Sequence, residues 1–108
     1  MDRKIPYLDK IINIITTTVD PDKIILFGSH ARGDYNEKSD IDLLILKKGI
    51  KNEREITGNL YVKFYDEKIK TPIDLIAMDA DKYNELTDDI GYIYKTINQE
   101  GIVLYEQL

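Results

Sequence analysis

Residues 23–46 decide the reading: Lys23-Ile24-Ile25-Leu26-Phe27, then Gly28-Ser29-His30-Ala31-Arg32-Gly33, a polar stretch, and Ser39-Asp40-Ile41-Asp42-Leu43-Leu44-Ile45-Leu46. The first five residues are mostly β-branched or apolar, the pattern of a short strand covered on both faces. Gly28 permits a tight turn, and Ser29 is expected to cap a short helix that Ala31 and Arg32 begin. A second strand is expected from Asp40 to Lys47, ended by Lys48-Gly49.

Upstream, Tyr7, Leu8, Ile11, Ile12, Ile14, Ile15 and Val19 recur near helical spacing and stop before the turn signal Asp20-Pro21-Asp22. Downstream, Ile56, Leu60 and Phe64 give a helix from Asn52 to about Lys68 one apolar stripe, with Tyr61 and Tyr65 beside it. Gly58 inside it costs about 1 kcal/mol relative to alanine. Pro72 opens a third strand, Ile73 to Ala77, at a position where no ladder donor is required. Asp79 to Asp89 reads as short helices or turns. Ile90, Ile93 and Ile97 mark a last helix closed by Gly101, and Ile102 to Tyr105 a last strand. Alternating helices and strands predict an α/β fold, a small mixed β-sheet flanked by helices.

The chain has 108 residues, which suits one domain over residues 1–108. A net charge of −5 argues against a non-specific nucleic-acid binder, which relies on clustered Lys and Arg. The absence of cysteine excludes disulfides, thiolate chemistry and Cys-based zinc sites, and points to the cytoplasm. The longest apolar runs, Ile24–Phe27 and Ile41–Leu46, fall far short of the ~20 residues that span a bilayer. Nothing of signal-peptide type follows Met1-Asp2-Arg3-Lys4, so no membrane association is expected.

Gly28, Ser29 and Arg32 form a phosphate cradle on paper: a close backbone approach at a helix mouth, a hydroxyl, and a guanidinium one turn on. An ordinary strand-to-helix turn accounts for the same residues. Asp40 and Asp42 are the stronger signal. Alternate residues of a strand share a face, so two like charges stand side by side at the start of an apolar run, which is costly unless a cation lies between them. Oxygen-only ligands suit Mg2+, and two such ions clamp the entering and leaving oxygens of an in-line displacement. The alternative is an exposed strand end with two solvated carboxylates. A third carboxylate, Asp74, sits within Ile73-Asp74-Leu75-Ile76, where a lone charge is equally hard to explain; Asp66 and Asp79 are its rivals. His30 reads as a solvated helix-start residue, the eight tyrosines as core-edge residues, and Asp79, Asp81, Asp88 and Asp89 as a solvated acidic face.

Gly-Ser-x-Ala-Arg-Gly, then Ser-Asp-x-Asp-Leu, then a later strand aspartate, resembles the DNA polymerase β-like nucleotidyltransferase superfamily. Within it the short chain is most similar to the minimal nucleotidyltransferases (MNT), antitoxins found beside HEPN-domain ribonuclease toxins. The resemblance implies that Asp40 and Asp42 bind two Mg2+ ions, and that Asp74 binds the catalytic one and helps deprotonate the acceptor. It also implies that Gly28, Ser29 and Arg32 hold the β- and γ-phosphates of ATP, assisted by Ser39. The implied reaction transfers AMP from the triphosphate and releases pyrophosphate. Larger relatives grip their acceptor with added domains for which 108 residues leave no room, so a partner is expected to present it. The implied acceptor is a tyrosine hydroxyl of the HEPN toxin. A reading of another class stays open beside the enzyme: a binding module that neutralises its partner by covering it.

Overall fold

The computed structural model describes residues 5–87 and 92–107. In chain order the elements are α1 (Leu8–Val19), β1 (Lys23–Phe27), α2 (Ser29–Arg32), β2 (Ile41–Leu46), α3 (Glu53–Asp66), β3 (Ile73–Met78), α4 (Ala80–Thr87), α5 (Tyr92–Glu100) and β4 (Ile102–Glu106). The four strands form one sheet in the order β3-β2-β1-β4. β1 runs antiparallel to β2 and to β4, with Lys23 opposite Leu46 and Phe27 opposite Asp42. β2 and β3 are parallel, with Ile41 opposite Ile73 and Leu46 opposite Met78. A parallel pair needs a crossover, and α3 supplies it. The mixed sheet expected from the sequence is therefore the one observed.

Alternation along each strand divides the core in two. On one face Ile24, Leu26, Ile41, Leu43 and Ile45 pack with Ile11 and Ile15 of α1 and with Leu60 and Phe64 of α3. On the other, Ile25, Leu44, Leu46 and Met78 meet Tyr83 of α4 and Ile97 of α5. Each fully buried Ile or Leu contributes about 1.5–3 kcal/mol relative to exposure, so both layers are substantial. Among the described residues no helix is long and apolar enough to cross a membrane.

Local chemistry explains the element ends. The Asn52 side chain caps α3 by accepting the Glu55 N–H at 3.0 Å, and the helix continues through Gly58. β3 is an edge strand, and its Leu75 N–H donates to the Tyr61 hydroxyl at 2.9 Å.

Three expectations need correction. Gly28, not Ser29, is the capping residue of α2; Ser29 is already helical, because the glycine takes up the turn. Asp79 is more than a solvated member of an acidic face: still open to solvent, it accepts the Gly49 N–H at 2.7 Å and the Lys82 N–H at 3.0 Å, tying the β2–α3 loop to the start of α4. The Gly49 bond first, and the Lys82 bond second, hold its carboxyl below the usual range. The third is His30, described with the site. Asp81 is exposed as expected, whereas Asp88, Asp89 and Ile90 lie outside the described residues.

Candidate active site

The site grows from the pairing of β1 and β2. Phe27 lies opposite Asp42, so the next residue, Gly28, passes directly over the Asp42 carboxylate. Gly28 has φ +75° and ψ −155°, and a Cβ there would overlap Asp42 Oδ2. Only glycine fits both the backbone conformation and the space. Its carbonyl accepts the N–H groups of Ala31 and Arg32, each at 3.1 Å, which starts α2.

The parallel register sets Asp42 opposite Asp74. Directly paired residues share a face, so Asp42 and Asp74 stand together on one face at one end of the sheet, and Asp40 lies two residues before Asp42, just ahead of β2. Their proximity is legible in the electrostatics. Burial first, then Asp74, then Asp40, push the Asp42 carboxyl above its ordinary range, against weaker opposite pulls from His30 and Arg32. Asp66 is exposed at the end of α3, and Asp79 lies five residues beyond Asp74, roughly 17 Å along the strand direction at 3.3 Å per residue. Neither rival stands beside Asp42.

A raised carboxyl means that the folded state holds the Asp42 proton more tightly than the unfolded chain does. The metal-free fold therefore loses stability as pH rises from the ordinary carboxylate range through the raised value. Asp42→Asn should make the metal-free protein more stable at neutral pH, flattening that dependence while function is lost. Urea midpoints for the two proteins at pH 4 and pH 7.5 check it; a variant less stable at pH 7.5 would contradict the electrostatic account.

Arg32 is half exposed. Its Nε donates to Asp34 Oδ2 at 3.3 Å, and its Nη1 lies 3.9 Å from Glu100 Oε2. A cleft of about 240 Å³ opens beside it, lined by Phe27, Gly28, Thr96 and Glu100 among others. Exposed ion pairs of this kind are worth about 0–1 kcal/mol, so a triphosphate can displace them. Arg32→Ala is expected to weaken ATP binding by roughly tenfold and AMP binding by less, because a guanidinium makes charge-assisted bonds with outer phosphates. Calorimetry with both nucleotides decides; equal losses would place Arg32 in the support of the turn instead.

Ser39 serves the loop before β2. Its hydroxyl accepts the Asn36 N–H at 2.9 Å and its own N–H donates to the Asn36 carbonyl at 3.1 Å. His30, expected in solvent, is only 5% exposed. The α2–β2 loop folds back over it, so its ring stacks on Tyr35 with centroids 4.6 Å apart, and its Nε2 lies 3.4 Å from the Ser39 carbonyl.

Among the described residues, no three acidic or imidazole side chains stand in chelating positions as they are oriented here. The donor set nevertheless fits Mg2+. It is oxygen-only, its three charges repel one another in a way that a cation relieves, and the missing Gly28 side chain leaves the room that the Asp42 carboxylate occupies.

A mixed sheet with a glycine turn over one strand aspartate and a second aspartate in register beside it defines the nucleotidyltransferase class of α/β fold. The chain belongs to the polymerase beta nucleotidyltransferase family, whose model matches residues 9–107. Two proteins of Methanocaldococcus jannaschii that carry the name protein adenylyltransferase are similar to it: MJ0141, 59% identical over 34 residues, and MJ0604, 79% identical over 24. The matched stretches span 32% and 22% of this chain, and 34% and 24% of those proteins. Among solved structures, a nucleotidyltransferase-type protein from Sulfolobus solfataricus superposes with a TM-score of 0.61 at 21% identity, covering 91% of this chain and 76% of that one. A toxin–antitoxin structure with AMP-PNP superposes with a TM-score of 0.66 at 20% identity, covering 92% and 73%. These likenesses establish the fold and bear out the family read from the three motifs.

Proposed function

We propose that the chain is a metal-dependent nucleotidyltransferase that moves AMP from ATP to a hydroxyl, a tyrosine of a partner HEPN-domain toxin, and so acts as a cytoplasmic antitoxin. The observation that carries this reading is the register of Asp42 with Asp74 beneath the Gly28 turn. The names of the relatives support the transfer of AMP to protein, and the toxin–antitoxin neighbour supports the partner.

In this reading Gly28, Ser29 and Arg32 hold the β- and γ-phosphates, with Ser39 steadying the approach to β2. Asp40 and Asp42 hold both metal ions. Asp74 holds the catalytic one and takes the acceptor proton. Two Mg2+ ions, when bound, supply the positive charge that neutralises the triphosphate and acidifies the acceptor hydroxyl. The acceptor oxygen bonds to the α-phosphorus, the bond to the β-phosphate oxygen breaks, and pyrophosphate leaves with the electron pair. In this reading the acceptor side chain is presented by the partner protein.

Incubating the chain with the purified HEPN-domain protein encoded beside it, labelled ATP and Mg2+ tests this. Label on the partner is expected; neutralisation of the toxin without label would make the chain a binding module. ATP titrated by calorimetry should bind only with Mg2+, since three carboxylates repel a bare triphosphate. Equal affinity in EDTA would remove the two-metal account.

A further inference from the structure

His30 is the buried polar residue of the described core, and nothing in the phosphate or metal chemistry above uses it. Its place in the chain is unusual. It lies in α2 between Ser29 and Arg32 of the cradle, yet its ring reaches nine residues along to the carbonyl of Ser39, the residue immediately before Asp40. Between the two runs an exposed loop, residues 32–38, which lies outside any strand or helix after Arg32. Such a loop, left alone, would let the cradle and the carboxylates move independently.

The structure holds Ser39 from three sides. Its N–H and hydroxyl close the turn with Asn36, and Asn36 Oδ1 in turn accepts the Lys38 N–H at 2.8 Å. The carbonyl is met by His30 Nε2, which donates. Tyr35, from the middle of the same loop, stacks on the imidazole with only 21° between the planes, fixing the direction in which that donor points.

We infer that His30 is a positioning residue that locks the spacing between the phosphate cradle and Asp40–Asp42 by holding the Ser39 carbonyl, with Tyr35 clamping its ring. It touches neither nucleotide nor metal. It sets the distance across which the two halves of the site must act together, and reacting groups misplaced by about 1 Å can cost as much as 10²-fold in rate. The inference rests on the reading of Asp40 and Asp42 as metal ligands.

A pair of isochemical variants separates this role from general support. In H30Q the side-chain amide sits near the place of Nε2 and still reaches Ser39; in H30N it falls one methylene short. H30N is expected to speed amide hydrogen exchange at Asn36 and Ser39 by about tenfold, the effect of one lost hydrogen bond, while the sheet amides stay at parent rates. The manganese affinity of its ATP complex, read by electron paramagnetic resonance, should fall by about tenfold, and H30Q should restore both quantities to within about threefold. Parent-like exchange in H30N, damage in H30Q equal to that in H30N, or acceleration spread evenly over the sheet would each overturn the inference. A purely structural role would lower the melting temperature and leave manganese affinity unchanged. If H30N does not fold, H30Q decides alone: loss of protection confined to Asn36 and Ser39 in that variant overturns it, and parent-like protection supports it. Should the parent chain bind no manganese with ATP, the functional reading fails, and the exchange arm still judges the lock.

Discussion

Replacing Asp74 by asparagine is expected to lower nucleotidyl transfer by roughly 10²–10⁴-fold, the range for losing a positioned proton acceptor, while ATP affinity stays within about threefold. The asymmetry follows from the topology. Asp42 lies in β2, directly beneath the Gly28 turn, with Asp40 just ahead of that strand, whereas Asp74 comes from the neighbouring β3. In the proposed arrangement Asp40 and Asp42 would hold the nucleotide-bound ion, and Asp74 would serve the acceptor. Asp42→Asn should accordingly impair both binding and transfer. Measuring transfer and ATP affinity for Asp74→Asn, Asp66→Asn and Asp79→Asn side by side is the check. Asp66 and Asp79 stand away from Asp42, so their variants should transfer normally, although Asp79→Asn should weaken the start of α4. Near-normal transfer by the Asp74 variant would refute its assignment.

Gly28→Ala should be the most damaging change in the cradle. The backbone there occupies a region nearly closed to other residues, which costs about 1–3 kcal/mol for a side chain. The added methyl also overlaps Asp42 Oδ2, so the carboxylate must swing aside. The expected result is a melting temperature lower by several degrees, at about 4–8 °C per kcal/mol for a domain near this size, together with a loss of transfer that binding assays with saturating Mg2+ do not rescue. Gly33→Ala is the control. Gly33 also has positive φ, +93°, but a Cβ there meets nothing within 4 Å. It should lose stability through backbone strain and keep a larger share of its activity. Equal loss of transfer in both variants would show that strain alone, and not the displaced carboxylate, is responsible.

The aspartates were legible because they break apolar runs. Asp42 between Ile41 and Leu43, and Asp74 between Ile73 and Leu75, are charges that a strand core would not carry without cause. Periodicity likewise located every strand to within a residue or so, since burial on alternate or both faces leaves a direct mark on composition. What periodicity cannot express is who lies next to whom. That β3 pairs parallel to β2, and so sets Asp74 rather than Asp79 beside Asp42, is a fact of long-range register. The burial of His30 is hidden for a related reason. A lone histidine at a helix start looks solvated, and its two partners, Tyr35 and the Ser39 carbonyl, come from an aperiodic loop. Asp79 shows in the sequence only as surface charge, because the Gly49 and Lys82 donors it accepts from are backbone N–H groups, which carry no sequence identity.

The Tyr61–Leu75 bond has a bearing on fidelity of assembly. A parallel edge strand joined to the rest of the chain by a helix has neither a hairpin turn nor a second neighbour to pin its alignment, and a slip by one residue would invert it. Ile73 and Leu75 would then leave the α1–α3 layer for the opposite face, and Asp74 would enter the apolar layer under α3. A phenol anchored on α3 that accepts one chosen amide of β3 works as an index mark: it is satisfied in a single alignment, the one that delivers Asp74 to the face of Asp42.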